Sequence, residues 1–184
     1  MAIFFSCFLV VFLSEMGDKT QWMVLVLSTR FKRPLAILAG VLVASLANFG
    51  LVAWLGKALS AHINPLVLRY CIALSFLGFA VWLLFPENEE GGRDADGKSA
   101  FWTTVASIFL AEMGDKGQFA VLALSARLSA PLLVTLGSSL GMVAADSLAI
   151  VFGERLKVWV PMHWVRRAAS LLFAIFGVGI LLWG

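Results

Sequence analysis

Two short runs carry most of the chemistry that this sequence can do. Ser14-Glu15-Met16-Gly17-Asp18-Lys19-Thr20-Gln21 recurs as Ala111-Glu112-Met113-Gly114-Asp115-Lys116-Gly117-Gln118. Each run sets two carboxylates three residues apart, with a lysine four residues after the glutamate. On a continuous helix, positions three and four apart share a face. Each run would then aim both carboxylates in one direction, with the lysine placed for a local ion pair to its own glutamate. Glu15, Asp18, Glu112 and Asp115, with Thr20, Gln21, Gln118 and backbone carbonyls near Gly17 and Gly114, form an oxygen-rich donor set. Such a set suits Ca²⁺, Mg²⁺ or Mn²⁺ and not soft metals. Neither run contains histidine or cysteine, which disfavours zinc and copper, and His62 and His163 read as loop or interface residues. Met16 and Met113 occupy the variable position of the runs. Packing is the ordinary use of such methionines, while a thioether near the site would tilt selectivity toward Mn²⁺ over Ca²⁺.

The elements that must hold these groups are membrane helices. Hydrophobic residues make up 61% of the 184 and charged residues 14%, and the mean hydropathy is +0.94. A soluble domain is about 25% charged and cannot hide so much apolar surface in so short a chain. A bilayer core needs about 20 mostly apolar helical residues per crossing, and the chain supplies spans at about 3–29, 34–58, 66–85, 101–126, 131–153 and 165–183. Pro34, Pro65, Pro86, Pro131 and Pro161 all fall at or between span ends, where a missing N–H does no harm. The apolar start resembles a signal peptide but lacks a basic region and a small-residue cleavage site, so it is expected to be retained. Cys7 and Cys71 each sit in an apolar run and read as small core residues rather than a disulfide or metal pair. The net charge of +3 reflects basic loops beside anionic lipid and makes no case for nucleic acid.

The two runs are 97 residues apart, and the same offset pairs Ser28 with Ser125, Arg30 with Arg127, Pro34 with Pro131, Gly40 with Gly137, Gly56 with Gly153 and Arg69 with Arg166. The chain is a tandem duplication. Residues 1–85 form one three-helix unit, 86–100 an acidic linker and 101–184 the second unit. Loops after the first, third and fifth spans hold nine Lys and Arg against three on the other side. The positive-inside rule then puts the linker in the cytoplasm and both termini outside the plasma membrane. An odd number of spans per unit inverts the second copy, so the expected fold is all-α, six transmembrane helices as two inverted three-helix repeats. Inverted repeats with a site at their interface are typical of secondary transporters.

Six charged groups at mid-membrane would cost on the order of 15–20 kcal/mol facing lipid, at about 2.5–3.5 each. They must face one another or water. Ion pairing alone would leave two of the four carboxylates without a lysine. Asp146 is a further intramembrane acid, with Asn48 near its duplicated position, and it suits support of the cation ligands or a proton relay better than a purely structural role. Gly40, Gly50, Gly137 and Gly141 suit close helix packing.

Glu-x-Gly-Asp-[Lys/Arg]-[Thr/Ser], present twice in a six-span chain, resembles the small Mn²⁺/Ca²⁺:H⁺ antiporters, which join bacterial manganese exporters to the eukaryotic Golgi manganese/calcium transporter. The resemblance covers essentially the whole chain. It implies that Glu15, Asp18, Glu112 and Asp115 bind the cation, supported by Lys19, Thr20 and Lys116, and that the partners are a divalent ion and protons, with no resident cofactor. Gly117 departs from the pattern, standing where the second motif should carry a hydroxyl. The short chain looks like the bacterial branch, where Mn²⁺ efflux is usual. Two rival readings are a passive cation channel and an intramembrane aspartyl protease. The latter's Gly-x-Gly-Asp motif is absent, and there is no Ser–His or His-Glu-x-x-His set. The choice among Mn²⁺, Ca²⁺ and Mg²⁺, the proton stoichiometry and the oligomeric state, a homodimer included, stay open at this stage.

Overall fold

A computed structural model describes residues 1–82, 99–152 and 162–183. The linker therefore lies almost wholly outside the described residues, as do Pro86 and Pro161. The described elements, in chain order, are α1 (Ala2–Glu15), α2 (Lys19–Phe31), α3 (Pro34–His62), α4 (Pro65–Trp82), α5 (Ala100–Glu112), α6 (Lys116–Leu128), α7 (Pro131–Phe152) and α8 (Met162–Trp183). Among the described residues there is no strand. Pro34, Pro65 and Pro131 each open a helix, where the absent N–H has no intrahelical partner to lose. Of the described helices, α3 and α7 are each long and apolar enough to cross a membrane alone.

The first and fourth expected spans are not continuous helices. Each stops at its glutamate and restarts after its aspartate. Met16 and Met113 leave helical geometry at ψ 116°, and Gly17 and Gly114 turn the chain through the left-handed region at φ 80° and 78°. Asp18 and Asp115 then cap the next helix, Asp18 accepting from the Lys19 N–H and Asp115 from the Gly117 N–H. The physical reason is local: a glycine relieves the left-handed turn and an aspartate supplies the N-cap acceptor. A Cβ at Gly114 would meet nothing within 4 Å, so Gly114→Ala isolates the backbone term. It should lower stability by about 1–2 kcal/mol, read as a lower melting temperature in detergent.

Packing is mostly between the halves of the chain. α1 lies on α7 and α5 on α3, α3 and α7 lie on each other, and α4 lies on α8. Exchanging the halves maps the first contact onto the second. Bare glycines allow the close approach: a Cβ at Gly137 or Gly141 would come within 2.5 Å of the Phe4 or Phe8 carbonyl oxygen, and one at Gly40 within 2.9 Å of that of Phe101. Gly50 makes only an ordinary contact, 3.7 Å from Thr135 Cγ2. Arg69 ties α4 to the end of α8 by donating to the Ile180 and Leu181 carbonyls. Cys7 is buried as expected, but Cys71 is exposed on α4 and is not a core residue. The burial pattern is that of a membrane protein, with large apolar side chains such as Leu35, Leu51, Leu132 and Leu171 outside and charged groups within.

Candidate cation site

The two helix breaks meet. Oxygens of Glu15, Glu112 and Asp115 lie within 4.8 Å of one another, and Glu15 and Glu112 are both 0% exposed. Three of the four expected carboxylates thus share one pocket of charge, contributed by both motifs. The fourth, Asp18, is buried and sits against the other motif: Lys116 Nζ lies 3.1 Å from its Oδ1. Lys19 makes the reciprocal pair, 3.5 Å from Asp115 Oδ1. The expected i, i+4 geometry within one helix is overturned by the break between Glu15 and Lys19, and the lysines reach across the repeat boundary instead.

The surroundings of the two glutamates differ. Thr20 Oγ1 donates to Glu15 Oε2 at 3.3 Å. Both carboxylate oxygens of Glu112, and Glu15 Oε1, have no hydrogen-bond partner. A buried carboxylate so placed has exchanged water for nothing in the protein. It calls for a proton or a cation.

Gln21 and Gln118 support the breaks. Their amide oxygens accept from the N–H groups of Gly17 and Gly114, each at 2.9 Å. Gln21 Nε2 donates to the Ala145 carbonyl on α7 at 2.8 Å, and Gln118 Nε2 donates to Asn48 Oδ1 on α3 at 2.9 Å. Asn48 in turn donates to the Phe109 carbonyl at 3.0 Å. Each glutamine therefore pins a helix break of one half to the long helix of the other, and Asn48 is a bracket in that network. Asp146 lies one residue beyond Ala145, fully buried, with neither carboxylate oxygen hydrogen-bonded. Met16 is buried, and Gln21 Nε2 lies 3.7 Å from its sulfur. Met113 is 61% exposed, which removes it from any wall of the buried cluster.

An apolar exterior around a buried carboxylate cluster, with helices throughout the described residues, defines the class of helical membrane proteins. The chain matches the family model described as "Divalent cation/proton antiporter GDT1" over residues 3–91 and 100–184. It belongs to that family, which is one of membrane cation transporters and not of enzymes. It is 33% identical over 169 residues to a protein of Vibrio cholerae named "Putative manganese exporter", covering 91% of this chain and 84% of that protein. It is 31% identical over 208 residues to GDT1-like protein 4 of Arabidopsis thaliana, covering 91% and 90%. With GDT1-like protein 5 of the same plant it shares 29% over 210 residues, covering 93% and 91%. No solved structure matches the chain.

Proposed function

We propose that this protein exports a divalent cation, Mn²⁺ in preference to Ca²⁺, from the cytoplasm in exchange for protons, by alternating access around the carboxylate cluster. The observation that carries the reading is the joining of Glu15, Glu112 and Asp115 within 4.8 Å at two helix breaks. The donors are all oxygens, as hard divalent ions prefer. The name of the Vibrio cholerae relative favours manganese. Glu15, Glu112 and Asp115 hold the ion in this reading. Asp18, paired with Lys116, completes the charge of the site, and Asp146 serves the proton path. Every carboxylate of the cluster comes from one chain, and a homodimer is compatible with that.

The membrane arrangement belongs to the same proposal. The broken pairs α1–α2 and α5–α6 each cross once, as do α3, α4, α7 and α8, giving two inverted three-helix repeats in the plasma membrane. The nine-to-three bias of Lys and Arg sets both termini outside and the linker in the cytoplasm. A cysteine placed at Ser99, with Cys7 and Cys71 replaced, should resist an impermeant thiol reagent in intact cells and react once the cells are opened. Labelling in intact cells would reverse the orientation.

Charge counting gives the coupling. Four carboxylates and two lysines sum to −2, with both lysines counted as charged and Asp146 as neutral in every resting state. The two aspartates each face a lysine, so the excess resides on Glu15 and Glu112. One divalent ion neutralises it, and so do two protons. The empty site keeps the uncompensated charge and resists reorientation through a low-dielectric interior, which enforces exchange. Export needs that coupling, because moving a dication out against about 100 mV, inside negative, costs about 4.6 kcal/mol before any concentration gradient. In proteoliposomes a pH gradient should drive Mn²⁺ uphill, and clamping the potential at zero or at about −100 mV should leave the balance point nearly unchanged. Flux that only runs downhill would make the protein a channel. A large shift with potential would break the two-for-one count.

A further inference from the structure

Gly117 is the one place in the second motif where the residue type changes within the Asp-Lys-x-Gln core, threonine in the first copy and glycine in the second. Its surroundings are specific. A Cβ at position 117 would lie 2.7 Å from Glu15 Oε1 and 3.9 Å from both Asp115 Oδ2 and Glu112 Oε2. These are the three carboxylates of the cluster. The space before the Gly117 α-carbon is therefore the interior of the site and not a seam between helices.

The counterpart position serves the same glutamate by other means. Thr20 holds Glu15 Oε2 from one side with its hydroxyl. Gly117 leaves Oε1 room on the other. A methyl group at 117 would push Oε1, the far end of a flexible side chain, and with Oε2 held by Thr20 that shift stays inside the buried cluster.

The geometry points to Gly117 as the specificity-determining residue of this carboxylate site: its bare α-carbon leaves the Glu15 carboxylate the place that a side chain would fill, and so sets how far apart the three carboxylates stand around an ion. The inference rests on the carboxylate-cluster reading above. Three carboxylates offer between three and six oxygens. Ca²⁺ takes six to eight at about 2.3–2.6 Å, whereas smaller divalent ions hold a tighter octahedron. Filling the place with a methyl group contracts the site, and the larger ion with the larger shell suffers more. A bacterial exporter with glycine here would accept Ca²⁺ as well as Mn²⁺, and the residue type at 117 would set the ratio.

The test compares wild type, Gly117→Ala, Gly117→Ser and Glu112→Gln, each purified in detergent. Apparent affinities come from the rise in melting temperature with added MnCl₂ or CaCl₂, a readout independent of transport. Gly117→Ala should weaken Ca²⁺ about thirtyfold and Mn²⁺ about threefold, a tenfold change of ratio toward Mn²⁺. Gly117→Ser should move the ratio the same way, since it brings the same Cβ. Alanine is the better helix former, so without metal Gly117→Ala should melt no lower than wild type. A ratio within twofold of wild type in both variants, with Glu112→Gln losing its metal response, would overturn the role of Gly117 and leave the site standing. An undiminished metal response in Glu112→Gln would instead remove the site itself. Failure of both Gly117 variants to fold would make the glycine a packing position and end the proposal as well.

Discussion

Glu112→Gln should abolish Mn²⁺ transport, by at least about a hundredfold, while the protein inserts and melts no lower than wild type. Two observations combine to give this pairing of effects. Glu112 is 0% exposed, and neither of its oxygens has a hydrogen-bond partner. A charge that no hydrogen bond holds can be removed with little structural loss, and a poorly compensated buried carboxylate costs stability when ionised. Glutamine keeps the volume and removes the charge. Losing one of three anionic ligands should cost the ion at least about 2.8 kcal/mol, which is a hundredfold at 1.4 kcal/mol per decade. A functional group held at the expense of the fold is the usual signature of a site. Glu15→Gln should silence transport too, but with a small loss of stability, because the Thr20 hydroxyl then donates to a neutral acceptor and hydrogen bonds to charged groups are the stronger ones. Normal transport in Glu112→Gln would sink the shared-site reading. A fall of several degrees in its metal-free melting temperature would show that the carboxylate has a structural partner.

The charged motifs, their duplication and the helix boundaries set by Pro34, Pro65 and Pro131 were all legible from residue types and spacing. The break inside the first and fourth spans was not, although its signal is present. Gly17 before Asp18 is a helix stop followed by a helix start. Hydropathy hides it, because apolar flanks read as one span whether or not the helix runs through. Once the helix is broken, the local rules for positions three and four apart no longer apply. That is why Lys19 and Lys116 meet the aspartate of the other half. The same tertiary juxtaposition decides the supporting residues. Spacing alone makes Gln21 and Gln118 oxygen donors beside the site, but their amide oxygens accept from Gly17 and Gly114 and their amide nitrogens reach the opposite long helix. Met113 matches Met16 in sequence yet is exposed where Met16 is buried. Periodicity gives a residue its own helix face, and only packing gives it a partner.

Lys116→Met should destabilise the protein severely, and Asp18→Asn in the same chain should restore most of the loss. Lys116 Nζ and Asp18 Oδ1 are 3.1 Å apart with side chains 8% and 0% exposed. Removing one partner of a buried pair leaves the other charge in a medium that cannot solvate it, at about 3–5 kcal/mol. Here the penalty is compounded, because the cluster moves from −2 to −3 with Glu15 and Glu112 close by. Neutralising Asp18 as well returns the count to −2 and removes the excess buried charge. The reciprocal pair is a built-in comparison. Lys19 sits 3.5 Å from Asp115 but is 34% exposed, so water and salt screen it, and Lys19→Met should cost clearly less than Lys116→Met. Melting of the four single variants and the two double variants gives a coupling energy for each pair. A large coupling for Lys116–Asp18 and a small one for Lys19–Asp115 is expected, with the second falling further as salt rises. Equal penalties for the two lysines, or a double variant no better than Lys116→Met alone, would mean that the cross-repeat pair does not hold the halves together. The net charge of the cluster would then have to be balanced by groups other than these lysines.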